Sequence, residues 1–441
     1  MAGLALLLKG RGHEVSGCDL HATPRTKWLE RQGIAVFVGH DPAHLKNVDE
    51  VIVTPAVDEG NPELRTWRNA GGAHGSPGAR PLRYRGEVLA QLVSADESIA
   101  VCGSHGKTTT ATWIARLLLA LGENVAWCIG GETGDFPVAG VASPSAAKGE
   151  GCPPPPVLVV EADESDGTLA LYHAKTLVVN KCEYDHPDHF KTEADYFACY
   201  ETAKRNAAEV IESERLGELA APDGQADVQA ILAIRHVLDS LAPHNRKNAR
   251  AAVEVALRRG HAPDAIARWL PGIVATLPDR RFQRIWPPNG RDSDFRVFTD
   301  YAHHPTEMKC AVEMARAICV GTLRVLFQPH RYSRTRALLH DFPSAFVAAD
   351  EVILCPTYAA FEQPVPGGDV ADLHRVCRTS FDTRQGCRPK LSLAESCNAA
   401  WRSAFAAMRP GDLTLLLGAG DIFALVPQVQ KDCGGADGDA T

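Results

Sequence analysis

The chain has 441 residues, which at ~150 residues per domain suggests about three domains. Its 54 acidic and 46 basic residues give a net charge of -8, so we predict neither a nucleic-acid partner nor a membrane partner. The 13 cysteines have no C-x-x-C spacing, and no apolar run approaches the ~18 residues of a membrane span. We therefore predict free thiols and a cytoplasmic location.

Residues 1–95 alternate helix and strand signals. Helices are predicted at residues 1–10 and 25–32, and strands at residues 13–19 and 50–54. The pattern is typical of a nucleotide-binding α/β domain whose glycine-rich first turn would precede residue 1. Asp19 ends a strand, where it suits a ribose or sugar hydroxyl, although a turn or helix-cap role explains it equally well. Residues 71–81 are rich in glycine and predict a flexible connection.

The segment around residues 98–121 is the most informative part of the sequence. Ser98–Cys102 is an apolar β-branched run, Gly103–Thr110 is a glycine-punctuated turn, and residues 111–121 have a helical pattern. Strand, loop and helix in this order form a phosphate cradle, in which backbone N–H groups and a lysine face the phosphates and a Ser/Thr hydroxyl holds Mg²⁺. Val101 stands where the longer P-loop motif has its first glycine, and a turn between buried elements is the alternative. The candidate nucleotide contacts are Gly103, Ser104, His105, Gly106, Lys107, Thr108 and Thr109.

Two acidic clusters follow the phosphate loop. Residues 157–160 are a strand signal that ends in Glu161–Asp166, and residues 176–180 end in Glu183–His189. A run of carboxylates at a strand end is costly unless a cation lies there, and Mg²⁺ with ATP fits. Either cluster alone is explained by a solvated loop; together, on strands predicted to be adjacent and parallel, they favour one site. Residues 130–156 are predicted to be irregular and residues 191–243 helical.

A third domain is predicted from residue 279. Its strand signals are separated by helical segments, which indicates another parallel α/β layer. Polar clusters again end the strands, at Asp300–His304, Gln328–Arg334 and Gly418–Asp421. Residues 431–441 are rich in glycine and aspartate and are predicted to be disordered. The strands are predicted at residues 295–298, 323–327, 351–354 and 413–417.

Taken in order, these segments resemble the Mur ligase family over nearly the whole chain. The resemblance implies an α/β fold of three consecutive domains with mostly parallel sheets: a Rossmann-like domain at residues 1–95 that binds the UDP-sugar, a P-loop ATP-binding domain at 96–278, and a Rossmann-like domain at 279–430 that binds the amino acid. It also implies an ATP-dependent ligase that forms an amide bond through an acyl phosphate. The matching segments are Gly103–Thr109, Glu161–Asp166, Asp185–His186, His244–Asn248, Arg280–Phe282, Asp300–Glu307, Gln328–Thr335 and Gly418–Ile422.

The resemblance also implies roles for single residues. Thr108, Glu161 and His186 would hold Mg²⁺, or Mn²⁺ in its place. Asn248 would contact adenine, Arg281 a phosphate or ribose, and Asp300 the ribose. The implied catalytic residues are Lys107, His186, His303, Arg331 and Arg334, and the implied substrate-binding residues are Asp19, Thr54 and His330.

Two departures from the family pattern are apparent. The glycine-rich turn for the UDP diphosphate is expected ahead of Met1, and the segment between His189 and His244 is short, so that strands completing the central domain are expected to be missing. The segment Gln328–Thr335 favours UDP-N-acetylmuramate and L-alanine as the implied substrates, in peptidoglycan precursor synthesis. Two alternatives stay open: a ligase that adds a preformed peptide to the same sugar nucleotide, and a relative that binds nucleotide without ligating.

Overall fold

The computed structural model describes residues 1–54, 57–74, 80–131, 133, 136–142, 156–186, 189–219, 225–288, 294–360, 362–383 and 389–436. The chain divides into two compact units. The first consists of Met1–Asp185 and His189–Pro278, and the second contains His186 and the chain from Asp279 onward. Among the described helices, none combines the length and apolarity needed to cross a bilayer.

The first part of unit one contains two small parallel sheets. Strands β1 and β2 form one, and β3, β5 and β4 form the other, in that order. Helix α1 packs on the large central sheet, because its Leu4 and Leu7 are buried in the same apolar cluster as Ala100 and Val160. The elements are α1 (Ala2–Gly10), β1 (Ser16–Asp19), α2 (Pro24–Arg31), β2 (Ala35–Val38), β3 (Val51–Val53), α3 (Pro62–Asn69), β4 (Gly72–Ala73), β5 (Arg80–Tyr84) and α4 (Arg85–Ala95).

The central sheet of unit one has six strands in the order β11-β10-β6-β9-β7-β8. All neighbours are parallel except β8, which runs antiparallel to β7. Strand β6, which precedes the phosphate loop, lies between β9 and β10. The elements are β6 (Ser98–Cys102), α5 (Lys107–Ala120), β7 (Val125–Cys128), β8 (Ala139–Ala142), β9 (Val157–Glu161), β10 (Thr176–Val179), α6 (Glu193–Asn206), β11 (Glu209–Glu212), α7 (Gln225–Asp239), α8 (Pro243–Arg258) and α9 (Pro263–Val274).

Apolar side chains cover β6 on both of its faces. Ile99 and Val101 belong to one buried cluster, and Ala100 and Cys102 belong to another. This alternation follows from the two-residue period of a strand, and burial of both faces explains why the segment is a continuous apolar run. The phosphate loop therefore begins on a strand with a fixed position.

Unit two is a second six-stranded sheet in the order β12-β13-β17-β14-β15-β16. Only β12 is antiparallel to its neighbour. Buried Arg324 on β14 is paired with Asp412 and Glu351, which neutralises its charge inside the sheet. The elements are β12 (Gln283–Trp286), β13 (Arg296–Asp300), α10 (Pro305–Ile318), β14 (Leu323–Phe327), α11 (Tyr332–Ala337), α12 (Phe342–Ala345), β15 (Glu351–Leu354), α13 (Val370–Thr383), β16 (Lys390–Leu393), α14 (Cys397–Ala406), β17 (Leu413–Leu417) and α15 (Val426–Ala436).

Several sequence-based expectations are wrong in detail. Strand β8 lies in the stretch predicted to be irregular, and β11 lies in the stretch predicted to be helical and to lack strands of the central sheet. Helix α15 continues to Ala436, into the tail predicted to be disordered, and residues 437–441 are outside the described residues. Strands β9 and β10 are not adjacent, because β6 separates them. Short strands are poorly specified by local sequence and depend on the neighbour with which they pair.

Strand β5 is a further difference, since it begins at Arg80 inside the predicted flexible connection. Residues 75–79 and 143–155 lie outside the described residues. The division of unit one at residues 95 and 96 into two domains stays a prediction.

Candidate active site

The loop between β6 and α5 has a backbone that depends on glycine at two positions. Gly103 has φ of +124° and Gly106 has φ of +77°, both in the region that side chains disfavour. A Cβ atom at Gly103 would lie 2.9 Å from Cβ of Asn180, and one at Gly106 would lie 2.5 Å from Oδ1 of Asn248. Gly106 also starts α5, so the loop delivers free backbone N–H groups to the helix N-terminus. This is the geometry that binds a phosphate group.

The segment after β10 holds the loop in place. The Ser104 backbone N–H donates to the carbonyl of Lys181 at 2.9 Å, and the Ser104 hydroxyl donates to the carbonyl of Glu183 at 2.7 Å. In return the Glu183 N–H donates to the Ser104 hydroxyl at 2.8 Å. Nε2 of His105 lies 2.8 Å from the Glu183 carboxylate. Ser104 and His105 therefore fix the loop, in addition to their predicted place beside the nucleotide.

Lys107 is held by two partners at the N-terminus of α5. Its ammonium donates to the Gly103 carbonyl at 2.7 Å and to both carboxylate oxygens of Glu164 at 3.0 and 3.1 Å. Burial alone would lower the pKa of Lys107, but the carboxylates of Glu164, Asp163 and Glu161 hold that pKa above its usual value. Lys107 thus carries a positive charge beside the phosphate cradle.

Glu164 was not singled out from the sequence, although it is the member of the acidic run that pairs with Lys107. Its side chain is fully buried, with an exposed fraction of 0%. The sequence did contain a hint of this pairing. Carboxylates that follow a buried strand need positively charged partners, and Lys107 of the phosphate loop is the candidate in the predicted fold. Sequence alone did not distinguish which carboxylate fills that role.

Glu161 and Thr108 both lie beside the glycine pair that follows β7. The Gly130 N–H donates to Oε2 of Glu161 at 2.7 Å, and a Cβ atom at Gly131 would lie 3.0 Å from the methyl group of Thr108. A hydroxyl and a carboxylate are oxygen ligands of the kind that Mg²⁺ prefers, so these residues fit the predicted metal. Thr109 is buried one position further along α5.

His186 is found in the second unit and has φ of +57°. This backbone conformation is uncommon for a residue other than glycine and often marks functional positions. The sharing of a metal by Glu161 and His186 stays a prediction.

Two asparagines, Asn180 and Asn248, contact the glycines of the loop. Nδ2 of Asn248 donates to Oδ1 of Asn245 at 3.3 Å, which orients the Asn248 amide at Gly106. Nδ2 of Asn180 donates to the Thr110 hydroxyl at 3.0 Å, whereas its buried Oδ1 accepts no hydrogen bond from any residue that the structure describes. The sequence did not indicate this role for Asn180, because the residue was interpreted as the end of the strand predicted at residues 176–180.

Asp300 and Arg281 lie together in the second unit. Oδ1 of Asp300 accepts from the Ala302 N–H and Oδ2 accepts from the Phe282 N–H, both at 2.7 Å. Burial raises the pKa of Asp300 to about 6, against the lowering effect of Arg281 and of the two N–H groups. Arg281 also lies over the Tyr301 ring, with its guanidinium carbon 5.3 Å from the ring centre.

The remaining predicted catalytic residues of unit two form one cluster of histidines and arginines. The His303 and His330 rings have centres 5.9 Å apart, and an Arg334 guanidinium nitrogen lies 3.4 Å from Nδ1 of His330. Arg331 has φ of +70°, a strained backbone that points to a functional constraint. Burial, Arg334 and Arg331 lower the pKa of His330 to about 4, so the ring is neutral at pH 7. Arg331 and Arg334 make the cluster cationic, which suits a carboxylate or phosphate.

Asp19 and Thr54 lie at the ends of β1 and β3 in the small sheets. Asp19 is exposed, and its carboxylate accepts from the His21 N–H at 3.2 Å, the contact expected of a turn residue. Thr54 is half-buried. Their contact with a substrate stays a prediction.

Comparison with known proteins identifies the family. The description "Mur ligase family, catalytic domain" matches residues 1–78, and "Mur ligase, glutamate ligase domain" matches residues 280–420. A UDP-N-acetylmuramate–L-alanine ligase of Rubrobacter xylanophilus is 33% identical over 96% of this chain and 95% of its own length. The chain belongs to the Mur ligase family. A second UDP-N-acetylmuramate–L-alanine ligase, from Kineococcus radiotolerans, is 34% identical over 97% of this Mur ligase and 93% of its own length.

Solved structures agree on the fold of this Mur ligase. The UDP-N-acetylmuramate–alanine ligase of Thermotoga maritima superposes with a TM-score of 0.71 at 22% identity, over 99% of this chain and 97% of that one. A murein peptide ligase from Psychrobacter arcticus gives a TM-score of 0.59 at 20% identity, over 99% and 96%. The predicted α/β fold class with mostly parallel sheets and the predicted family are both confirmed.

Proposed function

We propose that this Mur ligase is an ATP-dependent enzyme that joins L-alanine to the carboxylate of UDP-N-acetylmuramate, a step of peptidoglycan precursor synthesis. The observation that carries the proposal is the 33% identity, over 96% of the chain, to a relative named for that reaction. The positions that the chemistry requires are occupied: a lysine at a phosphate-binding helix N-terminus in unit one and a histidine and arginine cluster in unit two.

The reaction is proposed to proceed in two steps. A carboxylate oxygen of the sugar nucleotide attacks the γ-phosphorus of ATP, which releases ADP and leaves an acyl phosphate. The amine of L-alanine then attacks the acyl carbon, loses a proton, and displaces inorganic phosphate. In the first step two anions approach each other, so positive charge at the γ-phosphate lowers the barrier.

Lys107 is proposed to supply that charge. Its ammonium binds the Gly103 carbonyl and Glu164, so it is positioned before ATP arrives and loses little side-chain freedom on binding. Backbone N–H groups of Gly106 and the first turn of α5 bind phosphate oxygens. Bound Mg²⁺ would neutralise further phosphate charge, and Thr108, Glu161 and His186 are the residues proposed to hold it.

Asn248, Arg281 and Asp300 are proposed to position the nucleoside. Asp300 accepts two backbone N–H groups, which leaves lone pairs on both carboxylate oxygens for ribose hydroxyls. In the same unit, Arg331 and Arg334 are proposed to bind the L-alanine carboxylate and the acyl phosphate, because a guanidinium can donate two parallel hydrogen bonds. His303 and the neutral His330 are proposed to complete that site. Asp19 and Thr54 are proposed to contact the UDP-sugar.

A cytoplasmic location belongs to the same proposal. No disulfide joins the cysteines that the structure describes, which suits a reducing compartment.

The experiment is a phosphate-release assay with single omissions. Purified protein should release phosphate only when ATP, Mg²⁺, UDP-N-acetylmuramate and L-alanine are all present, and mass spectrometry should find the amide product. Glycine and L-serine test the choice of amino acid. Turnover with a preformed peptide but not with L-alanine would reassign the chain to peptide addition, and ATP binding without any turnover would make it a nucleotide-binding relative.

A further inference from the structure

A cysteine, two histidines and a glutamate meet in the small sheets of unit one, away from the phosphate loop. They are Cys18 on β1, His40 directly after β2, His44 in the following 3-10 turn, and Glu63 in the first turn of α3. None of them takes part in the function proposed above. Thiolate, imidazole and carboxylate are together the ligand set of a zinc site.

Ligand atoms of Cys18, His44 and Glu63 are close enough to share one ion, and Nδ1 of His40 lies near two of these three residues. Sγ of Cys18 lies 2.8 Å from Oε2 of Glu63 and 3.2 Å from Nδ1 of His40. Nδ1 of His44 lies 2.6 Å from Oε1 of Glu63, and Nδ1 of His40 lies 3.5 Å from Oε2. Ligand atoms of Cys18, His44 and Glu63 all lie within 4.8 Å of one another. A tetrahedral site with bonds of ~2.0–2.3 Å has edges of roughly 3.3–3.7 Å, so small side-chain movements suffice.

The surroundings orient these ligands as an outer shell does in metal sites. The His44 ring stacks on Phe37, with centres 4.3 Å apart and planes 8° apart. The Asp41 N–H donates to the Glu63 carboxylate at 3.2 Å. Asn61 caps α3 by accepting from the Glu63 N–H at 2.9 Å, which fixes the backbone beneath the carboxylate. Such contacts reduce the freedom that ligands lose when an ion binds.

Charge and burial also fit a divalent ion. The side chains of His40 and His44 are each 21% exposed and that of Glu63 is 12% exposed, so the cluster is largely shielded but reachable from solvent. A cysteine thiolate and one carboxylate bring two negative charges, which balance a 2+ ion. In the metal-free protein the thiol donates to Glu63, and that proton would leave as the ion binds.

We propose that Cys18, His40, His44 and Glu63 form a binding site for a zinc-type divalent cation. The ion joins β1 and the turn after β2, which belong to one small sheet, to the start of α3, which lies in sequence between the two strands β3 and β4 of the other. The local apolar core is small, with Leu64, Trp67 and Leu82 as its buried members. Because so small a core contributes little stability, a metal cross-link would stabilise this part of unit one.

The test is titration of the purified full chain with Co²⁺, a spectroscopic substitute for Zn²⁺. Binding at Cys18 should produce a thiolate-to-cobalt charge-transfer band in the near ultraviolet, with a stoichiometry of one, and Zn²⁺ should abolish the band. Cys18→Ser should remove the band, and Glu63→Gln and His44→Gln should weaken Co²⁺ binding by on the order of a hundredfold. Cys310→Ser removes a half-buried thiol of the other unit and should leave the band intact.

A second measurement does not depend on how the variants fold. Zn²⁺ should slow alkylation of Cys18 in the wild-type chain, followed by peptide mass spectrometry, while alkylation of Cys310 keeps its rate. Absence of a thiolate band in the wild-type chain, a band that survives Cys18→Ser, or alkylation of Cys18 that is indifferent to Zn²⁺ would each overturn the site. A band from the ATP-linked metal does not interfere, because Thr108, Glu161 and His186 offer no thiolate ligand.

Discussion

The contact between Lys107 and Glu164 allows the stabilising and the catalytic roles of the lysine to be separated. Lys107→Met keeps most of the side-chain volume and removes the charge. Two effects are expected. The buried carboxylate of Glu164 loses the ammonium that lies 3.0 Å away, and the γ-phosphate loses its positive partner.

The two effects differ in size, and a second substitution should reverse only the loss of stability. Removal of one partner of a buried pair costs about 3–5 kcal/mol, and the exposed fraction of 0% for Glu164 supports a value in that range. Loss of one charged transition-state contact costs ~3 kcal/mol or more, which is about a hundredfold or more in turnover. Glu164→Gln in the Lys107→Met background removes the unbalanced charge, so it should restore more than half of the lost stability but none of the turnover.

Urea unfolding followed by circular dichroism measures the first effect, and the phosphate-release assay measures the second. Glu164→Gln alone is the matched control for the amide substitution. A Lys107→Met chain as stable as wild type would show that the pair does not form. Recovery of turnover in the double variant would show that the lysine acts on Glu164 and not on the nucleotide.

Three further predictions follow from the described contacts. Gly106→Ala should weaken ATP binding at least tenfold in a nucleotide titration, because its Cβ would lie 2.5 Å from Oδ1 of Asn248. The control, Gly122→Ala, has φ of +89° but open space around the new Cβ, so it should lower the free energy of unfolding by only ~1 kcal/mol and leave ATP binding unchanged. Equal ATP affinity of the two variants would refute this prediction. His330→Gln should reduce the loss of unfolding free energy at acid pH. The folded pKa of His330, about 4, is below the unfolded value of 6.5, so this residue adds a loss of stability between pH 6.5 and pH 4 that the variant lacks, and parallel urea profiles would contradict the burial of the ring. Glu161→Ala should raise the Mg²⁺ concentration for half-maximal turnover on the order of tenfold, with circular dichroism as the folding control, and unchanged metal dependence would discard this ligand.

The elements that could be predicted from the sequence are those with strong local signals. Strands β6, β9, β14, β15 and β17 are apolar runs buried on both faces, and the structure places them within two residues of their predicted bounds. The phosphate loop could be predicted because its glycines, lysine and threonine must be contiguous in sequence. Local chemistry was sufficient in each case.

The parts that failed depend on partners distant in sequence. Strand β11 is half-buried and only becomes a strand by pairing with β10 at the sheet edge. The hydrogen-bonded pairing of Lys107 with Glu164 depends on the three-dimensional path of the chain after β9, which sequence spacing does not give. The Cys18 cluster was missed for the same reason, since its members lie on β1, on the turn after β2 and on α3, up to 45 residues apart in sequence.

The central position of β6 has a consequence for the order in which parts of unit one unfold. Its backbone is hydrogen-bonded to β9 on one edge and to β10 on the other, and both of its faces are covered. Its amide hydrogens can therefore exchange with deuterium only when the whole sheet opens, while those of β1, where Ser16, Gly17 and Asp19 are exposed, can exchange through local fluctuations. The strand that carries the phosphate loop is thus expected to be among the last parts of unit one to unfold under heat or denaturant.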